Sequence, residues 1–154
     1  MRTQKHSLHH RPQFRLERWH RRTLYALLAG LLLSGLAWLQ AHYFLRVAGE
    51  FGDTIHPLEH WAMQAHGALV MPFCFLLGSL LLQHMRRAHH ARRNRASGWS
   101  MLGVLLSLVL TAYGLYYLAS ETSRPWWSLA HWSIGLALPL LLWLHIALGR
   151  RALC

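Results

Sequence analysis

Four apolar stretches divide this chain, and each is long enough to cross a bilayer: Leu24–Leu45, Trp61–Gln83, Trp99–Ala119 and Trp126–Leu148. A hydrocarbon core of about 30 Å takes about 20 apolar residues of helix, and only a helix or a closed barrel satisfies every backbone N–H and C=O without water. Charged residues make up 14% of the sequence and sit almost wholly between these stretches. A removable secretory leader does not account for the first stretch, which is too long and has three more behind it. The expected fold is all-α: an integral membrane four-helix bundle over residues 23–151, preceded by a basic N-terminal arm over residues 1–22.

A net charge of +11 raises nucleic acid as a partner, and the placement of the charge argues against it. Fourteen of the 16 basic residues fall before the first stretch, between the second and third, or after the fourth, which is one side of the membrane. Four of the five acids (Glu50, Asp53, Glu59 and Glu121) fall on the other. By the positive-inside rule both termini are cytoplasmic and the two short acidic loops lie outside. Nucleic-acid binding needs a basic face on a folded domain; a basic arm beside a membrane instead suits anionic lipid. Loop Arg46–His60, with Gly49, Gly52 and Pro57, has room for a short structured cap. The tight turn Ser120–Pro125 makes the third and fourth spans antiparallel neighbours.

Within the spans the informative residues are histidines. His131 and His145 are fourteen residues apart, just under four turns, so they share a helix face with about 21 Å between them. His66 and His84 are eighteen apart, five turns, and also share a face. The second and fourth spans run in the same direction, which sets His66 level with His131 near the outer surface and His84 level with His145 near the inner one. Ionisable side chains at membrane depth are costly and mark functional interiors. Two imidazoles approaching from facing helices are what a haem iron takes, and two levels predict two haems. The difference of about 6 Å between the two spacings is open to absorption by tilt or by kinks at Pro72 and Pro139. His42, near the outer end of the first span, is the substitute for His66. His20, just before that span, is the substitute for His84. The plainer reading is that these histidines are polar contacts between helices.

Smaller signals accompany them. Gly103 and Gly114 share a face of the third span, and Gly30, Gly35, Gly67 and Gly135 lie in the others. Such residues admit either a porphyrin edge or a neighbouring backbone. Trp61, Trp99, Trp126 and Trp127 fit an interfacial belt, and Arg46 and Arg124 are the outer cations available to haem propionates.

These features together resemble the four-helix membrane b-type cytochromes, which include small dihaem proteins and the cytochrome b subunits of bacterial membrane oxidoreductases. The resemblance covers about residues 18–150 and is carried by His131 and His145, by His66 followed by glycine, and by Ser34–Gly35. Some relatives take an inner ligand from the start of the first span, which keeps His20 in contention. The resemblance implies a multi-pass protein of a bacterial inner membrane carrying two non-covalent haem b groups. It also implies electron transfer between a quinone or cytoplasmic-side donor and a periplasmic cytochrome or reductase subunit. Glu50, Asp53 and Glu59 would offer that partner an acidic docking patch, and a second copy of the chain is a further candidate partner. The expected role is an electron-transfer subunit rather than a stand-alone enzyme. The alternatives are a single haem held by His66 and His131, or a cofactor-free scaffold.

Other chemistries lack their residues. The spans contain no acid beside Ser34, Ser79, Ser107 or Ser133, and no phosphate loop or dinucleotide fingerprint is present. Cys74 and Cys154 form no CxxCH site, so any haem is held non-covalently. Histidines about 21 Å apart cannot share one metal ion.

Overall fold

The computed structural model describes residues 18–50, 52–81 and 95–151. Helix α1 spans Arg18–Phe44, α2 Pro57–Leu80, α3 Arg95–Tyr113 and α4 Arg124–Arg151. All four, with α3 continued to Leu118, are long and apolar enough to cross a membrane. The chain is an all-α four-helix protein. The helices outrun the apolar stretches: α1 begins six residues before Leu24 and takes in part of the basic arm, so Arg18–Arg22 is helical. The rest of that arm, and His84, lie outside the described residues.

Local chemistry explains the ends. Pro57 occupies the first turn of α2, where its missing N–H has no partner to lose, and His56 Nδ1 caps the turn by accepting the Leu58 N–H at 3.1 Å. Glu59 adds a negative charge at the positive end of the helix. Pro72 and Pro139 lie inside α2 and α4, both of which run through them as single helices. The last turn of α3 widens over Gly114–Leu118, where Ala119 N–H reaches Gly114 O at 2.8 Å. A Cβ on Gly114 would lie 2.5 Å from the Trp127 ring, so only glycine lets the indole of α4 rest on this backbone.

The loop between α1 and α2 is capped, as expected, by structure: a two-stranded antiparallel hairpin, β1 Arg46–Gly49 and β2 Gly52–Ile55, paired from Arg46–Ile55 to Gly49–Gly52. Gly52 has a φ of +112°, which disfavours any side chain. The connection between α3 and α4 is a tight turn closed by Ser120 and Ser123, with Arg124 N–H donating to Ser120 O at 2.9 Å.

The helices pack as two antiparallel hairpins, α1 with α2 and α3 with α4, and the hairpins touch one another much less than the helices within each. The buried apolar residues Ala41, Ala62, Phe73 and Leu76 all belong to α1 and α2. Large apolar side chains such as Met71, Phe75 and Trp143 are exposed. A surface of that kind is covered by lipid, and helix contacts inside lipid depend on packing and polar bonds rather than on burial from water. Each helix carries an exposed tryptophan near its start (Trp19, Trp61, Trp99 and Trp126), in keeping with an interfacial belt at both membrane surfaces.

Candidate functional site

Each hairpin is tied internally by imidazole–hydroxyl bonds at two levels. In the first hairpin, His66 Nδ1 of α2 meets Ser34 Oγ of α1 at 2.9 Å, and His20 Nε2 of α1 meets Ser79 Oγ of α2 at 3.1 Å. In the second, His131 and His145 of α4 present Nδ1 to Thr111 and Ser97 of α3, at 2.9 and 2.7 Å. Along every helix the two members lie thirteen or fourteen residues apart, about 20 Å. The level next to the acidic connections, the one expected to be outer, holds Ser34, His66, Thr111 and His131. The inner level holds His20, Ser79, Ser97 and His145.

The hydroxyls couple each ring's tautomer to a backbone carbonyl. Ser34 Oγ donates to Leu31 O at 3.1 Å, Thr111 Oγ1 to Ser107 O at 2.8 Å, and Ser79 Oγ to Leu76 O at 2.8 Å. A hydroxyl has one proton, so an oxygen that has given it to a backbone carbonyl can only accept from the imidazole. With the hydroxyl protons on those carbonyls, His66 and His131 carry the proton on Nδ1 and keep a lone pair on Nε2. In the same arrangement His20 carries it on Nε2 and keeps its lone pair on Nδ1.

Across the gap between hairpins, the His66 and His131 rings lie 6.2 Å apart, centroid to centroid, at 76°. Two imidazoles bound to opposite sides of one metal, through metal–nitrogen bonds of about 2 Å, have centroids about 6 Å apart. Gly35 lies beside the same site: a Cβ there would stand 3.7 Å from His66 Cε1. Trp132, the residue after His131, has a buried indole N–H with no acceptor among the described residues. At the inner level, His145 borders an open apolar cavity of about 200 Å³ lined also by Met101, Val104, Leu141 and Leu148.

The expected outer pair, His66 and His131, is brought together. His42, its substitute, is engaged elsewhere: its Nδ1–H donates to Glu59 Oε1 at 2.9 Å. At the inner level His20 is buried and stands on the first turn of α1, at the depth its register with Ser79 requires. Gly114 serves Trp127 packing, whereas Gly103 and Gly67 face open space. The spacing argument passed over Ser34, Ser79, Ser97 and Thr111 as partners. The available signal was four hydroxyls inside apolar helices, spaced like the histidines.

Among the described residues no three His, Cys, Asp or Glu side chains converge as a metal cluster. Among those residues the one pair of imidazole rings in mutual contact is His66 and His131. Comparison with family models, with characterised proteins and with solved structures finds no match.

Proposed function

We propose that the chain is a transmembrane electron-transfer cytochrome b. His66 and His131 would hold an outer haem b, and His145 an inner one with His20 as its partner. The observation that carries this reading is the pair of imidazoles across the hairpins, each with Nδ1 at hydrogen-bond distance from a hydroxyl. Histidines that ligate a metal characteristically donate their other N–H, which fixes the tautomer and the ring orientation. The sparse contact between the hairpins supports a flat group lying between them. When bound, haem supplies a one-electron iron couple, and the protein supplies position and potential. Ser34 and Thr111 orient the outer bases, while Ser97 and Ser79 orient the inner ones.

His84 remains the inner ligand that spacing favours. The buried position of His20, level with His145, favours the first turn of α1 instead. In this reading the two levels, about 20 Å apart, relay electrons across a bacterial inner membrane. A periplasmic cytochrome or reductase subunit would stand at the hairpin end and a quinone would be a further redox partner. The single-haem version has one observation in its favour, that His66 and His131 alone face each other ring to ring among the described residues.

A reduced-minus-oxidised spectrum with haem quantitation on the purified protein tests this. Two haems per chain are expected, and His131→Ala and His145→Ala should each lose about half, from different spectral components. A colourless wild-type protein from haem-replete cells would leave the histidines as packing residues and the chain as a scaffold.

A further inference from the structure

At the Arg151 end of the bundle the α3–α4 seam opens into a groove. Its cavity of about 200 Å³ is bordered, among the described residues, by α3 and α4 alone. A group held between His20 and His145 needs a wall from α1 as well. The volume also falls below the about 300–1,000 Å³ of pockets that enclose drug-sized molecules, so a single linear chain fits where a porphyrin does not. The lining runs from Ser97 to Val104 on α3 and from Leu141 to Leu148 on α4, a separation of seven residues or about 10 Å on each. The helices are antiparallel and the Ser97–His145 bond sets their register, so the two ends of the groove differ. Met101, Val104 and Leu141 make the deep end wholly apolar. Ser97, Ser100 and His145 give the other end its polar atoms, and exposed Trp99 marks that end as the membrane interface.

Cations continue the line. Leu144 and Leu148 border the groove and are exposed, and Arg151 lies seven and three residues beyond them, on the same helix stripe and about one turn past the opening. Arg150 stands beside it, also exposed. No Asp or Glu occurs in residues 95–118 or 124–151 to neutralise the pair. One leaflet supplies half of a hydrocarbon core of about 30 Å, so a groove of about 10 Å seats most of one lipid tail. Apolar at depth, polar at the interface and cationic beyond it, the groove has the order of a phospholipid read from tail to phosphate. We propose that it binds one anionic phospholipid, with an acyl chain along the α3–α4 seam and the phosphate at Arg150 and Arg151. Basic pockets between membrane helices hold anionic headgroups by the same attraction. A zwitterionic lipid offers the same tail without the net charge, so charge selects the occupant. The site differs from the general pull of the basic arm on an anionic surface because it needs the groove, and it stands with or without haem in the bundle.

Native mass spectrometry of the purified protein, titrated in detergent with dioleoyl phosphatidylglycerol or dioleoyl phosphatidylcholine, reads stoichiometry and affinity together. One phosphatidylglycerol per chain should bind at least about tenfold more tightly than phosphatidylcholine, since each cation near the surface contributes about fivefold. Replacing the pair, Arg150→Gln with Arg151→Gln, should abolish that preference. Arg21→Gln with Arg22→Gln, an equal loss of charge on α1, should keep it. Leu144→Phe, at an exposed position, adds bulk to the groove and should weaken binding of both lipids. Equal loss from the two arginine pairs would reduce the effect to diffuse attraction and overturn the site. Absence of a preference in wild type, or unchanged binding in Leu144→Phe, would overturn it too. Retention of detergent alone, or a dimer that Leu144→Phe dissociates, would give the groove to another occupant and reject the lipid. Should the Arg150 and Arg151 variant fail to accumulate, the thermal midpoint of wild type decides: phosphatidylglycerol should raise it and phosphatidylcholine should not, and equal shifts would defeat the proposal.

Discussion

The two helical hairpins solve the same problem in different ways. In α3–α4 both imidazoles, His131 and His145, belong to one helix and both hydroxyls, Thr111 and Ser97, to its neighbour. In α1–α2 the roles cross: His66 of α2 leans on Ser34 of α1, and His20 of α1 leans on Ser79 of α2. A helix that carries both imidazoles gives them one face and a spacing set by the rise per residue. A hairpin that divides them depends on the register of two helices, which the connecting loop and the packing must set. The connections differ accordingly. A tight serine turn joins α3 to α4, and a β-hairpin with the His42–Glu59 pair beneath it joins α1 to α2.

The sharpest way to break this comparison is at the crossed inner position. His20→Ala should remove the same spectral component as His145→Ala, about half of the haem, while His84→Ala leaves both components in place; haem quantitation on the three variants checks it. Loss with His84→Ala and not with His20→Ala would return the inner ligand to His84 and undo the crossing.

A smaller effect is expected from the hydroxyls. Ser34→Ala and Thr111→Val each remove the acceptor of an Nδ1–H bond without removing a proposed ligand, and outer-shell partners of this kind typically contribute about 10–100-fold in affinity. Titrating the haem-stripped variants with haem should show weakened binding at the outer component only. Equal effects from the two would make the hairpins equivalent at this level, and a larger effect from Thr111→Val would show the single-helix hairpin holding its ligand more firmly.

The smallest effect concerns packing alone. Gly114→Ala places a methyl within the Trp127 ring's contact radius and should destabilise α3–α4 by about 1–3 kcal/mol, the range for overpacking, as read from thermal unfolding in detergent. Pairing it with Trp127→Leu should recover part of the loss. Gly67→Ala, where nothing lies within 4 Å of the added carbon, is the matched control on the other hairpin.

Much of the fold is legible in the sequence. Backbone groups in lipid must bond within their own helix, so four apolar runs of sufficient length leave little besides four helices. The fourteen residues between His131 and His145 place two imidazoles on one face by helix geometry, and parallel spans two and four put His66 opposite His131. Three things belonged to the tertiary structure. The helix start at Arg18, well before the apolar run, turned His20 from an arm residue into a buried one, because helical hydrogen bonding continues past the point where hydropathy falls. The pairing of each imidazole with a hydroxyl on the next helix depended on register between α1 and α2 and between α3 and α4, which no spacing within one helix encodes. His42 and Glu59 are seventeen residues apart with a β-hairpin between them, and only the closing of that hairpin brings an imidazole and a carboxylate to 2.9 Å. Sequence sets what a helix carries along its own axis; the contact between helices decides which of those groups meet.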